Sequence, residues 1–94
     1  MPLAREKAEE IAVEILGFLA SEPPLITRFA ALTGIALEDM RSAASSPTFL
    51  PAVLDFVLAH EPTLFAFCEQ MDRSPETVVN ARKSFQSSGK GEQP

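Results

Sequence analysis

The sequence contains few of the residues from which active sites and metal centres are built. Among its 94 residues there is one cysteine, Cys68, and one histidine, His60, with no tryptophan and no tyrosine. A single cysteine cannot form an internal disulfide. One cysteine and one histidine are also too few to supply the ligand set of a zinc site. The glycines are scattered, so no glycine-rich loop can hold a phosphate group. We therefore predict no catalytic, cofactor-binding or metal-binding residues, and no enzyme activity.

His60, Cys68 and the acidic residues near the N-terminus have structural interpretations. His60 lies at the predicted end of a helix, where an imidazole can bind the last carbonyl groups. Cys68 lies on an apolar stripe, which is typical of a buried thiol rather than of a nucleophile. Glu9, Glu10 and Glu14 could form paired carboxylates, but their placement on an amphipathic helix predicts a solvated surface.

The sequence also has no long apolar run and no excess of positive charge. No stretch reaches the roughly 18 apolar residues of a membrane-spanning helix. Arg5, Glu6 and Lys7 stand where a signal peptide would be apolar. The 13 acidic and 8 basic residues give a net charge of −5, which repels phosphate backbones. We therefore expect a cytoplasmic protein that binds no membrane and for which nucleic acid is a disfavoured partner.

What the sequence does contain is apolar residues at helical spacing. Hydrophobic residues make up 46% of the chain, and they recur at the intervals of one helical face between breaks marked by proline, glycine and serine. This pattern predicts an all-α protein, a compact bundle of five or six helices. We expect a single domain over residues 3–86 and a disordered polar tail over residues 87–94.

Proline and glycine mark the ends of the predicted helices in the first half. The first helix covers residues 3–20 and stops before Pro23 and Pro24, which can occupy the first turn of a second helix. That second helix ends at Gly34, because glycine accepts the left-handed conformation of a helix end. Its predicted buried residues are Leu25, Phe29 and Leu32.

Residues 50–58 are apolar almost all round, which is typical of a helix at the centre of a bundle. This helix starts either near Leu50 or as a loose turn after the capping residue Ser46. The next helix carries an apolar stripe of Leu64, Phe67, Cys68 and Met71. Ser74 followed by Pro75 is the clearest start signal and opens the last helix. The predicted core residues of the whole bundle include Leu54, Phe18, Phe29, Phe56 and Phe67.

The two halves of the chain repeat the same pattern of apolar residues and proline. The motif Leu-x-Phe at residues 16–18 recurs at residues 54–56, an offset of 38. The motif Glu-Pro-x-Leu at residues 22–25 recurs at residues 61–64, an offset of 39. This indicates two three-helix units related by a pseudo-repeat, each with a small insertion in a turn.

Two segments have the spacing of a helix-turn-helix, a shape that many DNA-binding domains share. Residues 26–44 carry Ala30 and Gly34 at the small-residue and turn positions, but acidic residues open their second helix. Residues 74–90 carry more basic side chains, which suit contact with phosphates. Their candidate nucleic-acid-binding residues are Asn80, Arg82, Lys83 and Gln86. So few basic side chains would bind the phosphate backbone only weakly. DNA binding is therefore the alternative hypothesis rather than the leading one.

Three runs of the sequence carry a resemblance to a known family: residues 15–20 (ILGFLA), 29–34 (FAALTG) and 49–56 (FLPAVLDF). Over residues 8–85 the chain resembles a bacterial domain-of-unknown-function family of short, all-helical proteins. The resemblance implies an all-helical fold and a cytosolic origin. It implies no activity, cofactor or functional residue, because the family has none assigned.

The leading functional hypothesis rests on a surplus of apolar residues that lie outside the main apolar stripes of the helices. Phe65 and Val79 are the clearest of them. Exposed apolar residues on a small protein often mark a surface for a partner. We therefore predict a small, non-catalytic protein-interaction module, which binds another protein or a second copy of itself. The alternative remains a helix-turn-helix protein that binds DNA through residues 74–90.

Overall fold

The computed structural model describes residues 4–90, with the side chains of residues 4–85. Over this part of the chain there are six α-helices and no β-strand, which confirms the predicted all-α bundle. The helices are α1 (Arg5–Ala20), α2 (Pro23–Thr33), α3 (Met40–Ala43), α4 (Phe49–Leu58), α5 (Glu61–Met71) and α6 (Pro75–Lys90). A 3-10 turn over Leu37–Asp39 leads directly into α3.

The residues between α1 and α2 end one helix and start the next. Ser21 donates a hydrogen bond from its hydroxyl to the Phe18 carbonyl at 2.8 Å, at the carboxyl end of α1. Pro23 is the first residue of α2, where no backbone donor is needed. Gly34 follows α2 in the left-handed conformation, with a φ of 76°. The chain turns through 115° between the two helices, so α2 lies across the end of α1.

Ser74 starts α6 as predicted, because its hydroxyl accepts a hydrogen bond from the Thr77 amide at 3.3 Å. α6 then continues to Lys90, past residue 86, where the sequence analysis ended the domain. Serine and glycine weaken a helix without breaking it as proline does, so α6 extends into the polar segment. Residues 91–94 of the predicted tail lie outside the described part of the chain.

Helices α1, α4 and α6 form the centre of the bundle, since each of them packs against the other two. Leu54 of α4 is fully buried there, together with Ile15 of α1 and Val78 of α6. The guanidinium of Arg5 lies 4.5 Å from the centroid of the Phe85 ring, a cation–π contact between the first and last helices. This contact joins the first turn of α1 to α6.

Phenylalanine rings link the outer helices to this centre. The fully buried Phe29 of α2 makes edge-to-face contacts with Phe49 and Phe56 of α4, with ring centroids 5.8 and 5.3 Å apart. Phe18 of α1 meets Phe67 of α5 in a similar geometry at 5.8 Å. Such edge-to-face pairs add stability beyond the burial of their area. The four predicted core phenylalanines all lie in the core, although Phe56 is only partly buried.

Two residues assigned to buried stripes from the sequence are in fact on the surface. Leu32 is 69% exposed and Met71 is 38% exposed. In α2 the side that contacts the core carries Ile26, Phe29 and Ala30, which leaves Leu32 at the outer edge of the helix. Met71 is the last residue of α5, beyond the part of that helix which the core covers.

His60 starts a helix instead of ending one, which corrects the sequence-based assignment. Its backbone is extended, with φ −135° and ψ 97°, and it is the N-cap of α5. The Nδ1 atom lies 2.7 Å from the Thr63 hydroxyl oxygen, so the imidazole bonds the first turn of α5 rather than the carbonyl groups of α4. α4 itself starts at Phe49, one residue before the predicted Leu50.

The repeat is regular in the structure. Adding 38 to the residue numbers of α2 gives α5 residue for residue. Gly34 then corresponds to Asp72, which also follows its helix in the left-handed conformation, with a φ of 55°. Pro24 corresponds to Pro62, so the offset of 39 inferred from the sequence is wrong. It came from pairing Pro62 with Pro23, the other proline of an adjacent pair.

The repeat divides the described chain into a first unit, α1 to α3, and a second unit, α4 to α6. α1 and α4 end at equivalent residues, and the 3-10 turn starts at the residue that corresponds to the start of α6. The two units differ in their third helix, which has 4 residues in α3 and 16 residues in α6.

Across residues 4–90 no helix taken alone is long and apolar enough to cross a membrane. The pairs α1–α2 and α4–α5 reach that length and hydropathy only when each pair is joined across its bend.

Candidate binding groove

An apolar groove opens beside α1 in the first unit, where α1, α2 and residues 37–44 meet. Its volume is about 740 Å³. The residues of α1 and α2 that line it are Val13, Leu16, Gly17, Ala20 and Ile26. A Cβ atom added to Gly17 would meet no atom within 4 Å. There is therefore open space over Gly17, where α1 presents only its backbone.

The 3-10 turn and α3 form the opposite wall of the groove. Met40 is buried, whereas Leu37 is 51% exposed, and Val13 on the α1 wall is 56% exposed. Glu38 and Arg41 place one charge of each sign at the rim. Neither of the two forms an ion pair with any residue between 4 and 85. The result is an apolar trough with unpaired charges at its edge.

The second unit shows why the groove is open in the first. Gly17 corresponds to Asp55 of α4, and Ala44 corresponds to Arg82 of α6. Arg82 donates two hydrogen bonds to the Asp55 carboxylate, at 2.7 and 3.2 Å. This bidentate pair bridges α4 and α6 at the place equivalent to the groove. With glycine and alanine at these two positions, the first unit has no side chains that could make such a bridge.

The third helices of the two units also differ in where they end. α3 ends at Ala43, and the chain then leaves the helix through Ser45, Ser46 and Pro47. Serine side chains favour turns, and the residue before proline avoids helical geometry. α6 continues instead to Lys90 and packs along both α1 and α4. Val13, on the α1 wall of the groove, remains largely exposed.

Glu14, next to Val13 on α1, is held away from the groove by an ion pair. Arg73 donates a hydrogen bond from Nε to Glu14 Oε1 at 2.8 Å and from Nη2 to Glu14 Oε2 at 2.6 Å. The hydrogen bond to the Glu14 carboxylate raises the pKa of Arg73. The side chains are each 25% exposed, so Glu14 is not the freely solvated residue that the sequence analysis expected. Glu9 and Glu10 do lie on the surface.

The candidate nucleic-acid-binding residues of α6 do not form one cationic surface. Arg82 is engaged by Asp55, Asn80 is half-buried, and Lys83 is exposed. Gln86 lies in α6, but its side chain is outside the described part of the structure. In the other helix-turn-helix candidate, residues 26–44, the second helix is a 3-10 turn followed by the four-residue α3. It is too short to lie along a major groove as a recognition helix does.

The polar groups that could carry chemistry are apart from the groove. Cys68 is buried, and its burial raises the pKa of the thiol. His60 is engaged with Thr63. Among the residues that the structure describes, no three histidine, cysteine, aspartate or glutamate side chains are grouped as metal ligands would be.

The groove cannot be recognised from the sequence, although two of its signals are present there. Val13 is an apolar residue on the acidic side of α1, between Glu10 and Glu14. Gly17 interrupts a helix in which alanine would be more stable. Each signal alone is common in helices. They acquire a meaning only when the 3-10 turn brings Leu37 to the same groove.

Comparison with known proteins gives one match. No curated protein and no solved structure matches the chain. Residues 5–88 match the family described as "Protein of unknown function (DUF3572)", and this stretch includes all six helices except the last residues of α6. The chain therefore belongs to the DUF3572 family.

Proposed function

We propose that this protein is a non-catalytic protein-interaction module which binds a partner through the groove between α1, α2 and residues 37–44. The observation that carries the proposal is the pair of half-exposed apolar side chains, Val13 and Leu37, on either side of an apolar trough. A monomeric protein seldom leaves concave apolar surface uncovered without a use for it. A partner that covers both side chains would gain the free energy of removing them from water.

The rest of the molecule is in keeping with such a role. The buried thiol of Cys68 and the His60–Thr63 contact have structural uses, and neither faces the groove. A single free cysteine is also in keeping with a reducing compartment, so we propose the cytoplasm as the place of action. An apolar groove with two charged side chains at its rim is suited to binding a partner rather than to catalysis.

Photo-crosslinking in the source cells tests this proposal. A photoreactive phenylalanine at position 13 should crosslink a partner protein, because Val13 lies at the opening of the groove. The same group at position 32 is the control, since Leu32 is 69% exposed but does not line the groove. Adding Gly17→Phe to the position-13 probe should abolish the crosslink by filling the groove.

The crosslinking result for Gly17→Phe can be interpreted only if this variant folds. Gly17 lies in α1 with open space over its Cβ position, so we expect Gly17→Phe to fold, which circular dichroism would check. Gly17→Ala is the matched variant that leaves the groove open, and it should retain the crosslink. No protein crosslinked above background at position 13, or equal crosslinking at position 32, would overturn the proposal.

DNA binding through residues 74–90 is a second candidate, and one observation favours it. α5 and α6 are joined by only three residues, 72–74, which is the short connection of a helix-turn-helix. The Asp55–Arg82 pair is the observation against it, because it removes a cation from the surface. Titration with mixed-sequence duplex DNA at low salt decides the matter. Amide shifts confined to residues 74–90 would support DNA binding, and their absence would exclude it.

A further inference from the structure

We infer that the occupant of the groove is the same groove of a second copy of this chain, so that two copies form a symmetric dimer. The inference rests on the proposed function and names the partner. In such a dimer a two-fold axis relates the copies, and every contact between two different residues occurs twice. A groove that binds its own counterpart must therefore match itself both in shape and in charge.

The α1 wall of the groove matches itself in shape. Val13 is 56% exposed, whereas Gly17, one helical turn further on the same side of α1, has open space over its Cβ position. When a two-fold axis crosses α1 between these residues, the α1 helices of the two copies lie antiparallel. Val13 of each copy is then opposite Gly17 of the other. A small residue opposite a larger one lets the two helices approach closely.

The distribution of charge along α1 favours the antiparallel arrangement. Every charged residue of this helix lies between Arg5 and Glu14, and residues 15–20 carry no charge. Antiparallel helices therefore place the charged half of one α1 beside the uncharged half of the other. Parallel helices would instead place Glu9 and Glu10 beside their own counterparts, and such like-charge contacts oppose association.

The opposite wall of the groove matches itself in charge. Glu38 and Arg41 are exposed, lie three residues apart at the rim, and form no ion pair with any residue between 4 and 85. The axis that reverses α1 also reverses this wall, so the Glu38 carboxylate of each copy lies toward the Arg41 guanidinium of the other. A different protein would need one charge of each sign in matching positions, whereas a second copy has them by symmetry.

The size of the groove and the net charge of the chain predict a weak dimer. The α1 wall extends from Val13 to Ala20, which is about 10 Å along the helix axis. An interface of this extent lies at the small end of the range for specific contacts. Two copies with a net charge of −5 also repel each other at long range. We therefore expect an equilibrium between monomer and dimer that depends on the protein concentration.

Exchange of the rim charges tests the inference, with sedimentation velocity of the full chain at concentrations up to about 1 mM as the measurement. Glu38→Arg makes both rim charges positive, and Arg41→Glu makes both negative. Each single variant should dimerise at least about tenfold more weakly than the wild-type chain. An equimolar mixture of the two variants should dimerise again, because a positive rim then meets a negative one.

The matched control is the double variant Glu38→Arg, Arg41→Glu. It has the same two rim charges in exchanged positions, so it should retain the dimerisation of the wild-type chain. Glu38→Arg also changes the net charge from −5 to −3, and general repulsion alone would then strengthen its association. Weaker association of this variant therefore reports on the rim itself.

Val13→Glu tests the apolar part of the same interface. It should abolish dimerisation, because it places a charge where Val13 meets Gly17 of the other copy. Leu32→Glu is its control, since Leu32 is 69% exposed and does not line the groove, and it should leave dimerisation unchanged. Both side chains are exposed, so we expect both variants to fold, which circular dichroism at the helix band would check.

Three results would overturn the inference. A wild-type chain that remains monomeric at every concentration would reject the second copy as occupant and leave photo-crosslinking at position 13 to decide the proposed function. Equal effects of Val13→Glu and Leu32→Glu would mean that the copies meet elsewhere. A mixture of Glu38→Arg and Arg41→Glu that associates no better than either variant alone would reject the two-fold arrangement.

Discussion

At the scale of the residue, the same side chain type has different roles according to what covers it. Leu54 and Leu32 are both leucines on helices, yet Leu54 is fully buried at the centre and Leu32 is 69% exposed. Gly17 and Asp55 are equivalent in the repeat, and one opens a groove where the other forms an ion pair. The role of a leucine is therefore set by what covers it, whereas at the two equivalent positions the residue type decides between an open groove and an ion pair.

Replacement of the two leucines tests this contrast. We expect Leu54→Ala to lower the free energy of unfolding by about 2–5 kcal/mol, because it leaves a cavity in a packed core. Leu32→Ala should change it by no more than about 0.5 kcal/mol, since an exposed side chain loses few contacts. Urea denaturation followed by circular dichroism at the helix band measures both. Equal effects of the two substitutions would contradict the burial described here.

At the scale of the element, α2 and α5 are equivalent helices of the repeat that are followed by different residues. They have the same length, and each is followed by a left-handed residue, Gly34 in one case and Asp72 in the other. Glycine adopts that conformation without steric cost, whereas aspartate has a Cβ that crowds the next carbonyl group. Gly34 has φ 76° and ψ 12°, and Asp72 has φ 55° and ψ 47°. Both helices therefore end in the left-handed region, but only Asp72 carries a Cβ atom there.

Exchange of these two residues measures the strain. Asp72→Gly should raise the free energy of unfolding by up to about 1 kcal/mol, because it relieves the left-handed residue. Gly34→Asp should lower it by about 1 kcal/mol or more for the converse reason. Thermal and urea denaturation of the two single variants are the measurements. A loss of stability in Asp72→Gly would show that the aspartate side chain stabilises the turn by more than its backbone strain costs.

At the scale of the whole molecule, contacts between the longest helices and the Glu14–Arg73 ion pair join the two units. α6 of the second unit packs against α1 of the first, and Arg5 contacts Phe85 at one end of that contact. Arg73, in the turn between α5 and α6, reaches back to Glu14 on α1. The radius of gyration of 12.9 Å is that of a compact domain of this size. The units share one core rather than forming two.

Removal of the ion pair between the units should destabilise the whole domain. We expect Glu14→Gln to lower the free energy of unfolding by about 1–3 kcal/mol, between the values for exposed and for buried pairs, since it leaves Arg73 partly desolvated without its partner. Glu10→Gln is the control, because the Glu10 side chain is 60% exposed, and its effect should be small. A single coincident transition by circular dichroism and by amide signals from both units is expected for each variant.

Two other results would contradict this picture. If Glu14→Gln were as stable as the wild-type chain, the pair would contribute nothing to the contact between the units. If the amide signals of α2 and α5 disappeared at different urea concentrations, the units would unfold separately. Either result would mean that the core has to be described as two separate parts.

Much of the fold can be predicted from the sequence, and the groove cannot. Pro23, Gly34 and Ser74 act locally, because each restricts the backbone at its own position, and so the helices are found close to where the pattern places them. His60 was misplaced because two helices meet there, and the pattern does not say which one a capping residue serves. Leu32 was misplaced because helical spacing identifies an apolar side without saying whether a neighbour covers it.

The sequence by itself determined the helices, the all-α class, the buried phenylalanines and the existence of a repeat, since these follow from local backbone preferences and from the spacing of apolar residues. Only the tertiary structure decided the register of that repeat, the Glu14–Arg73 and Asp55–Arg82 pairs, and the groove over Gly17. Contacts and open spaces between helices depend on how distant segments meet in three dimensions, and the spacing of residues along the chain does not contain that information.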